Sequence, residues 1–218
     1  MKYNRTKLPD EAKELLEEIT KSEPLNDSFC ECDIEIFDQD EILEMEEDDE
    51  WLEDLMGPGE ATYEEIRPFA RDGSGAVWVV LDGAAVGYIG TEGECGLVAR
   101  NFHEFVNMVA VWRSYLFDFW DADILESFED FLEAYEDEER FEVLTDKART
   151  DKAFDKLIAK YNFTTDLRDI YHLVIKGMTA EPFFEIKATD DDYCDSYSLL
   201  GSDDGQEALE ELIESLKD

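Results

Sequence analysis

The sequence predicts an α+β fold, a mostly antiparallel sheet flanked by helices with a helical C-terminal extension. Three observations carry that expectation. The stretch from Arg67 to Trp112 holds apolar runs of strand length punctuated by glycines. The connections between those runs are short, which favours an antiparallel meander. On either side, apolar residues recur at helical spacing. With 218 residues, 44% hydrophobic and 12% aromatic, the chain buries roughly 70% of its unfolded surface and reads as one domain. Its core covers about 60–115, an acidic helix–strand region covers 1–59, and a mainly helical part covers 116–218.

The elements follow in order. Leu8, Ala12, Leu15, Leu16 and Ile19 predict an amphipathic helix from about 9 to 21, stopped by Ser22-Glu23-Pro24. Residues 29–37, FCECDIEIF, alternate apolar and acidic and predict a strand with one wet face. In residues 41–57, Ile42, Met45, Leu52, Leu55 and Met56 form a narrow helical stripe, interrupted by five acids and ended by Gly57-Pro58-Gly59. Ala76–Leu81, Ala85–Gly90 and Cys95–Ala99 are predicted strands. Asn101 begins a helix with Glu104 three residues on, the spacing of a capping box, and with Phe102, Phe105, Val106, Val109 and Trp112 as its apolar stripe. Further on, Ile124, Phe128, Phe131, Leu132 and Tyr135 form one helical stripe, capped by Asp121 or Asp123, and Phe154, Leu157, Ile158 and Tyr161 form another. Tyr171–Ile175 and Phe183–Ala188 are predicted strands. Leu209, Leu212, Ile213 and Leu216 close the chain with a short helix.

Charge narrows the choice of partner. There are 59 acidic and 19 basic residues, a formal net of -40. Such a chain repels nucleic acid and anionic lipid and attracts basic proteins, quickly at low ionic strength. The same charge also serves solubility or life in a salty cytoplasm. The expectation is therefore a basic protein partner, with no nucleic acid and no membrane. The first residues carry no apolar signal core, and no run approaches the ~18 apolar residues of a span. Cys30, Cys32, Cys95 and Cys194 lack disulfide or zinc-site spacing, so free thiols and a cytoplasmic location are expected.

Catalytic motifs are missing where they would be looked for. Gly73-Ser-Gly75-Ala-Val-Trp78 fails the dinucleotide pattern at its third glycine, and Gly90-Thr-Glu-Gly93 carries carboxylate beside any would-be phosphate. Asp72, Gly73, Gly75, Gly90 and Gly93 are instead read as turn residues of the scaffold, the glycines supplying positive φ. Ser74 lacks a nucleophile elbow. His103 and His172 stand apart, the first on the polar side of its helix and the second within a strand-like segment. LGSDDGQEALEE resembles a calcium loop but has Leu200 at its first position. No catalytic residue, cofactor or metal site is predicted. The candidate partner-binding surface is the acidic run Glu46, Glu47, Asp48, Asp49 and Glu50, with Trp51 as an aromatic anchor for a lysine- or arginine-rich ligand.

Three pieces in order resemble the SUKH superfamily, the Smi/Knr-like proteins. They are Phe69-Ala70-Arg71-Asp72-Gly73-Ser74-Gly75, then Ala85 to Glu94, then Val98-Ala99-Arg100-Asn101-Phe102-His103-Glu104-Phe105-Val106. Leu8-Pro9 and Leu15-Leu16 only hint at the family's N-terminal helix, and the region after Trp112 has no counterpart. The resemblance implies a non-catalytic interaction domain with a curved sheet flanked by helices. Many bacterial members look like immunity proteins that neutralise toxins, often nucleases. A regulatory adaptor of the same fold is the alternative. From another class, a carboxylate-based hydrolase or metal enzyme remains open, because abundant carboxylates single out no pair.

Overall fold

The computed structural model describes residues 10–38, 40–42, 45, 51–136, 147–200 and 205–215. It is an α+β structure built on an antiparallel sheet of five strands. These are β1 (Glu35–Ile36), β3 (Ile66–Arg71), β4 (Val77–Leu81), β5 (Ala85–Ile89) and β6 (Cys95–Ala99), in the order β1-β3-β4-β5-β6. A separate ribbon pairs β2 (Gly59–Ala61) with β7 (Ile186–Ala188), Glu60 opposite Lys187.

The continuous apolar run at β4 is explained by its place in the sheet. Trp78 and Val80 face one core and Val77, Val79 and Leu81 the other, so neither face of the strand meets water. The first core packs the sheet against helices α1 (Asp10–Lys21), α2 (Glu23–Glu31) and α4 (Phe102–Trp112). The second is smaller and is closed by α3 (Trp51–Met56), Phe184 and Ile186. Helix α4 is buried at every position from Phe105 to Trp112, which makes it the axis of the larger core. Its start has half of the expected capping box. Asn101 Oδ1 accepts from Glu104 N at 2.9 Å, while the Glu104 carboxylate turns to the Arg100 guanidinium instead.

Two predicted strands are helical. FCECDIEIF is α2 as far as Glu31, and only Glu35–Ile36 is strand, with Phe37 N donating to Phe69 O at 2.9 Å beside it. Leu25, Ser28, Phe29 and Cys32 are all buried, a spacing of three, four and seven that belongs to a helix. Helix α1 ends at Lys21 as expected, and Pro24 stands in the first turn of α2, where its missing N–H costs nothing, so the stop of one helix is also the start of the next. Asp33, at φ 59°, makes the break before the strand. Tyr171–Ile175 lies inside α8 (Leu167–Met178), whose N-cap Asp166 accepts from Arg168 N at 2.9 Å. Ile170, Val174, Ile175 and Met178 are its buried stripe; a window of five residues was too short to tell the two periods apart.

The C-terminal half is helical as expected, with the 124–135 stripe divided between α5 (Ala122–Leu125) and α6 (Phe128–Glu136). Asp121 caps α5 by accepting from Asp123 N at 2.9 Å. Helices α7 (Lys147–Tyr161) and α9 (Gly205–Ser215) complete the set. Of the predicted 183–188 strand, Ile186–Ala188 is realised. Helix α8 lies so close to β6 that a Cβ at Gly177 would collide with the Val98 carbonyl. Among the described residues, no helix is long and apolar enough to cross a membrane.

Candidate functional site

Asp72 organises the glycine turns. It is 4% exposed and accepts four hydrogen bonds. Its Oδ1 accepts from Ser74 N at 2.8 Å, Ser74 Oγ at 2.7 Å and Ala76 N at 3.0 Å, and its Oδ2 accepts from the Tyr88 hydroxyl at 2.7 Å. The bonds fix the turn between β3 and β4 and tie it to β5. Burial first, and then the bond to Asp72, push the Tyr88 phenol far above its ordinary value. Trp78, Phe117 and Trp120 close over Tyr88 with ring centroids 4.9, 5.3 and 4.8 Å away. With the carboxylate buried and bonded to four donors, and its partner Tyr88 packed among aromatic rings, Asp72 is a structural element of the turn.

The predicted turn glycines divide. Gly75 and Gly93 have φ of +95° and +107°, as the turn reading required. Gly73 and Gly90 do not have positive φ. Gly73 donates its N–H to Asp33 Oδ1 at 2.9 Å, and Gly90 leaves the space that the Glu94 carboxylate fills.

The predicted aromatic anchor is corrected by the structure. Trp51 is only 6% exposed and belongs to the smaller core with Leu52, Tyr63 and Val79. It cannot present its ring to a partner without unpacking α3. Glu46, Glu47, Asp48, Asp49 and Glu50 lie outside the described residues. The two histidines stay apart. His103 packs edge-on against Phe163 at 4.6 Å, and His172 is exposed on α8, on a helix rather than the strand its alternation suggested. Among the described residues, no group of three or more His, Cys, Asp or Glu is placed to hold a metal ion.

A different acidic surface has the shape of a binding site. Helices α5 and α6 enclose an open groove of about 740 Å³. Its floor is apolar, formed by the half-buried Ile124 and Leu132 with Ala134, and its rim carries Asp123, Glu129, Asp130, Glu133 and Glu136. Local chemistry holds the rim in place. Ser127 caps α6, taking the Asp130 N–H at 3.2 Å while its hydroxyl donates to the Asp130 carboxylate. On the inner side of α6, Phe131 packs on Trp112 at 5.9 Å and on Tyr171 at 5.4 Å. The outer side is thus presented on a helix anchored to the larger core.

The electrostatics of the groove are one-sided. From Ser114 to Glu139 the chain has no lysine or arginine. Among the described residues, none of the five rim carboxylates forms an ion pair. Their field reaches inward: the Tyr171 phenol is raised by burial first, then by Asp130 and Glu129. Sequence patterning placed Ile124 and Leu132 in an ordinary core stripe. The signal that singles them out is the run of 26 residues without a base, counted from 114 to 139.

No protein-family model, no curated protein and no solved structure matches this chain.

Proposed function

We propose that the chain is a non-catalytic protein-binding module of the immunity type. It binds a basic protein in the cytoplasm, a toxin nuclease domain being the partner class, and neutralises it by covering the surface that nuclease uses for phosphate. The observation that carries the reading is the α5–α6 groove, an apolar floor inside a rim of five carboxylates that form no ion pair among the described residues. Apolar contact supplies affinity and the rim selects against acidic competitors and speeds encounter. The net charge of -40 and the resemblance to the SUKH superfamily support the same reading.

The test uses a basic toxin domain encoded beside this chain. Affinity is measured between 50 and 500 mM salt, for the parent and for Glu129→Lys with Glu133→Lys. The expected results are an affinity that falls about tenfold or more with salt, and a further loss of that order in the double variant. A complex indifferent to both salt and charge reversal overturns the groove as the binding surface.

A further inference from the structure

A second cavity lies elsewhere, at the outer edge of β6. It has a volume of about 280 Å³ and is half enclosed by Leu97, Met178, Phe183 and Leu199, with Leu209 of α9 at its border. At about 30 Å³ per water it has room for roughly nine, more than a hydration site requires and near the lower bound for a small-ligand pocket.

Two polar features converge on it. The first is main-chain. Cys95 donates its outward N–H to Tyr197 O at 2.8 Å, which ties the 193–197 segment to the sheet edge. Leu97 is two residues on, so its N–H and C=O face the same side, and no hydrogen bond to them forms within the described residues. The second is Glu185, which lines the cavity and whose carboxylate is near enough to act on the Cys95 thiol in its wall. Its only basic neighbour among the described residues is Lys187, at 3.8 Å, and that pair is loose, with side chains 41% and 70% exposed. The Cys95 thiol in the wall is pushed well up, by burial first and further by Glu185. Burial thus keeps the thiol protonated and part of the wall.

We propose that this cavity is a binding site for a small organic ammonium with an apolar body, its charge on Glu185 and its body against Phe183, Met178 and Leu199. The chain's negative field raises the local concentration of such a cation and opposes an anion. A free amine and a peptide N-terminus share this chemistry. The peptide would also pair with the outward N–H and C=O of Leu97. This site does not depend on the α5–α6 groove or on its partner.

The experiment is a titration of the full chain, followed by the Met178 methyl and Leu97 amide resonances. Phenethylamine is the probe and 2-phenylethanol its neutral counterpart. The expected result is saturable shifts of both resonances at millimolar amine, with the alcohol about fivefold weaker or worse. Glu185→Gln, a change at an exposed side chain, brings the amine down to the level of the alcohol. Phenylalaninamide binding more tightly than phenethylamine supports a peptide N-terminus, and the reverse order supports a free amine. Equal binding of amine and alcohol, amine binding unchanged in Glu185→Gln, or no shift at Met178 and Leu97 overturns the proposal.

Discussion

The turn at Asp72 and the outer face of α6 are both acidic, and they are built in opposite ways. Asp72 is buried and accepts four hydrogen bonds, one of them from Tyr88, which packs against three aromatic rings. Glu129, Asp130, Glu133 and Glu136 are exposed and form no ion pair among the described residues. A buried carboxylate is tolerable only when protein dipoles replace its water, and once they do it is locked to its neighbours. An exposed carboxylate keeps its water and its freedom to meet an incoming cation. The first kind of charge specifies a fold and the second leaves a surface open for binding.

Four variants test that contrast. Trp51→Ala has the largest expected effect, about 4 kcal/mol of lost stability in urea unfolding, because it empties the smaller core; a loss under about 1 kcal/mol would return Trp51 to the surface as an anchor. Asp72→Ala comes next, at about 3 kcal/mol, since it strands three donors of the turn and the Tyr88 hydroxyl. If it is neutral, the turn is held by its glycines and the contrast fails. Tyr88→Phe is smaller, about 1 kcal/mol at pH 7, and it has a pH signature. The folded phenol is raised, so its contribution is complete below the ordinary tyrosine value near 10 and is lost as pH rises above it. Parent stability should therefore fall above pH 10, and the Phe variant should fall less steeply in melts over pH 9–11. Smallest is Glu129→Gln with Glu133→Gln, which is expected to leave stability within about 0.5 kcal/mol of the parent, or to raise it by relieving repulsion. A clear destabilisation would show that the rim is structural after all.

The same division explains what could be read in advance. β4, β5, β6 and the Asn101 cap were legible because continuous apolar runs, turn residues and a capping side chain act over a few residues. α2 is hard to read from sequence because Cys30, Cys32, Ile34 and Ile36 fit a period of two, and only the burial of Leu25, Ser28, Phe29 and Cys32 brings out the helical period. The groove was illegible because its parts look ordinary alone. Ile124 and Leu132 pattern as core, and acids on α6 pattern as a solvated face.

By itself, the sequence determined the α+β class, the antiparallel meander with its turns, and a formal net charge of -40. These follow from residue type and short-range spacing. Tertiary structure alone decided that Trp51 is core, that Asp72 is a closed hydrogen-bond centre, and that α5 and α6 open a groove while α8 and the 193–199 segment wall a cavity on β6. Each of those depends on which side of an element faces another, and packing between distant segments sets that orientation.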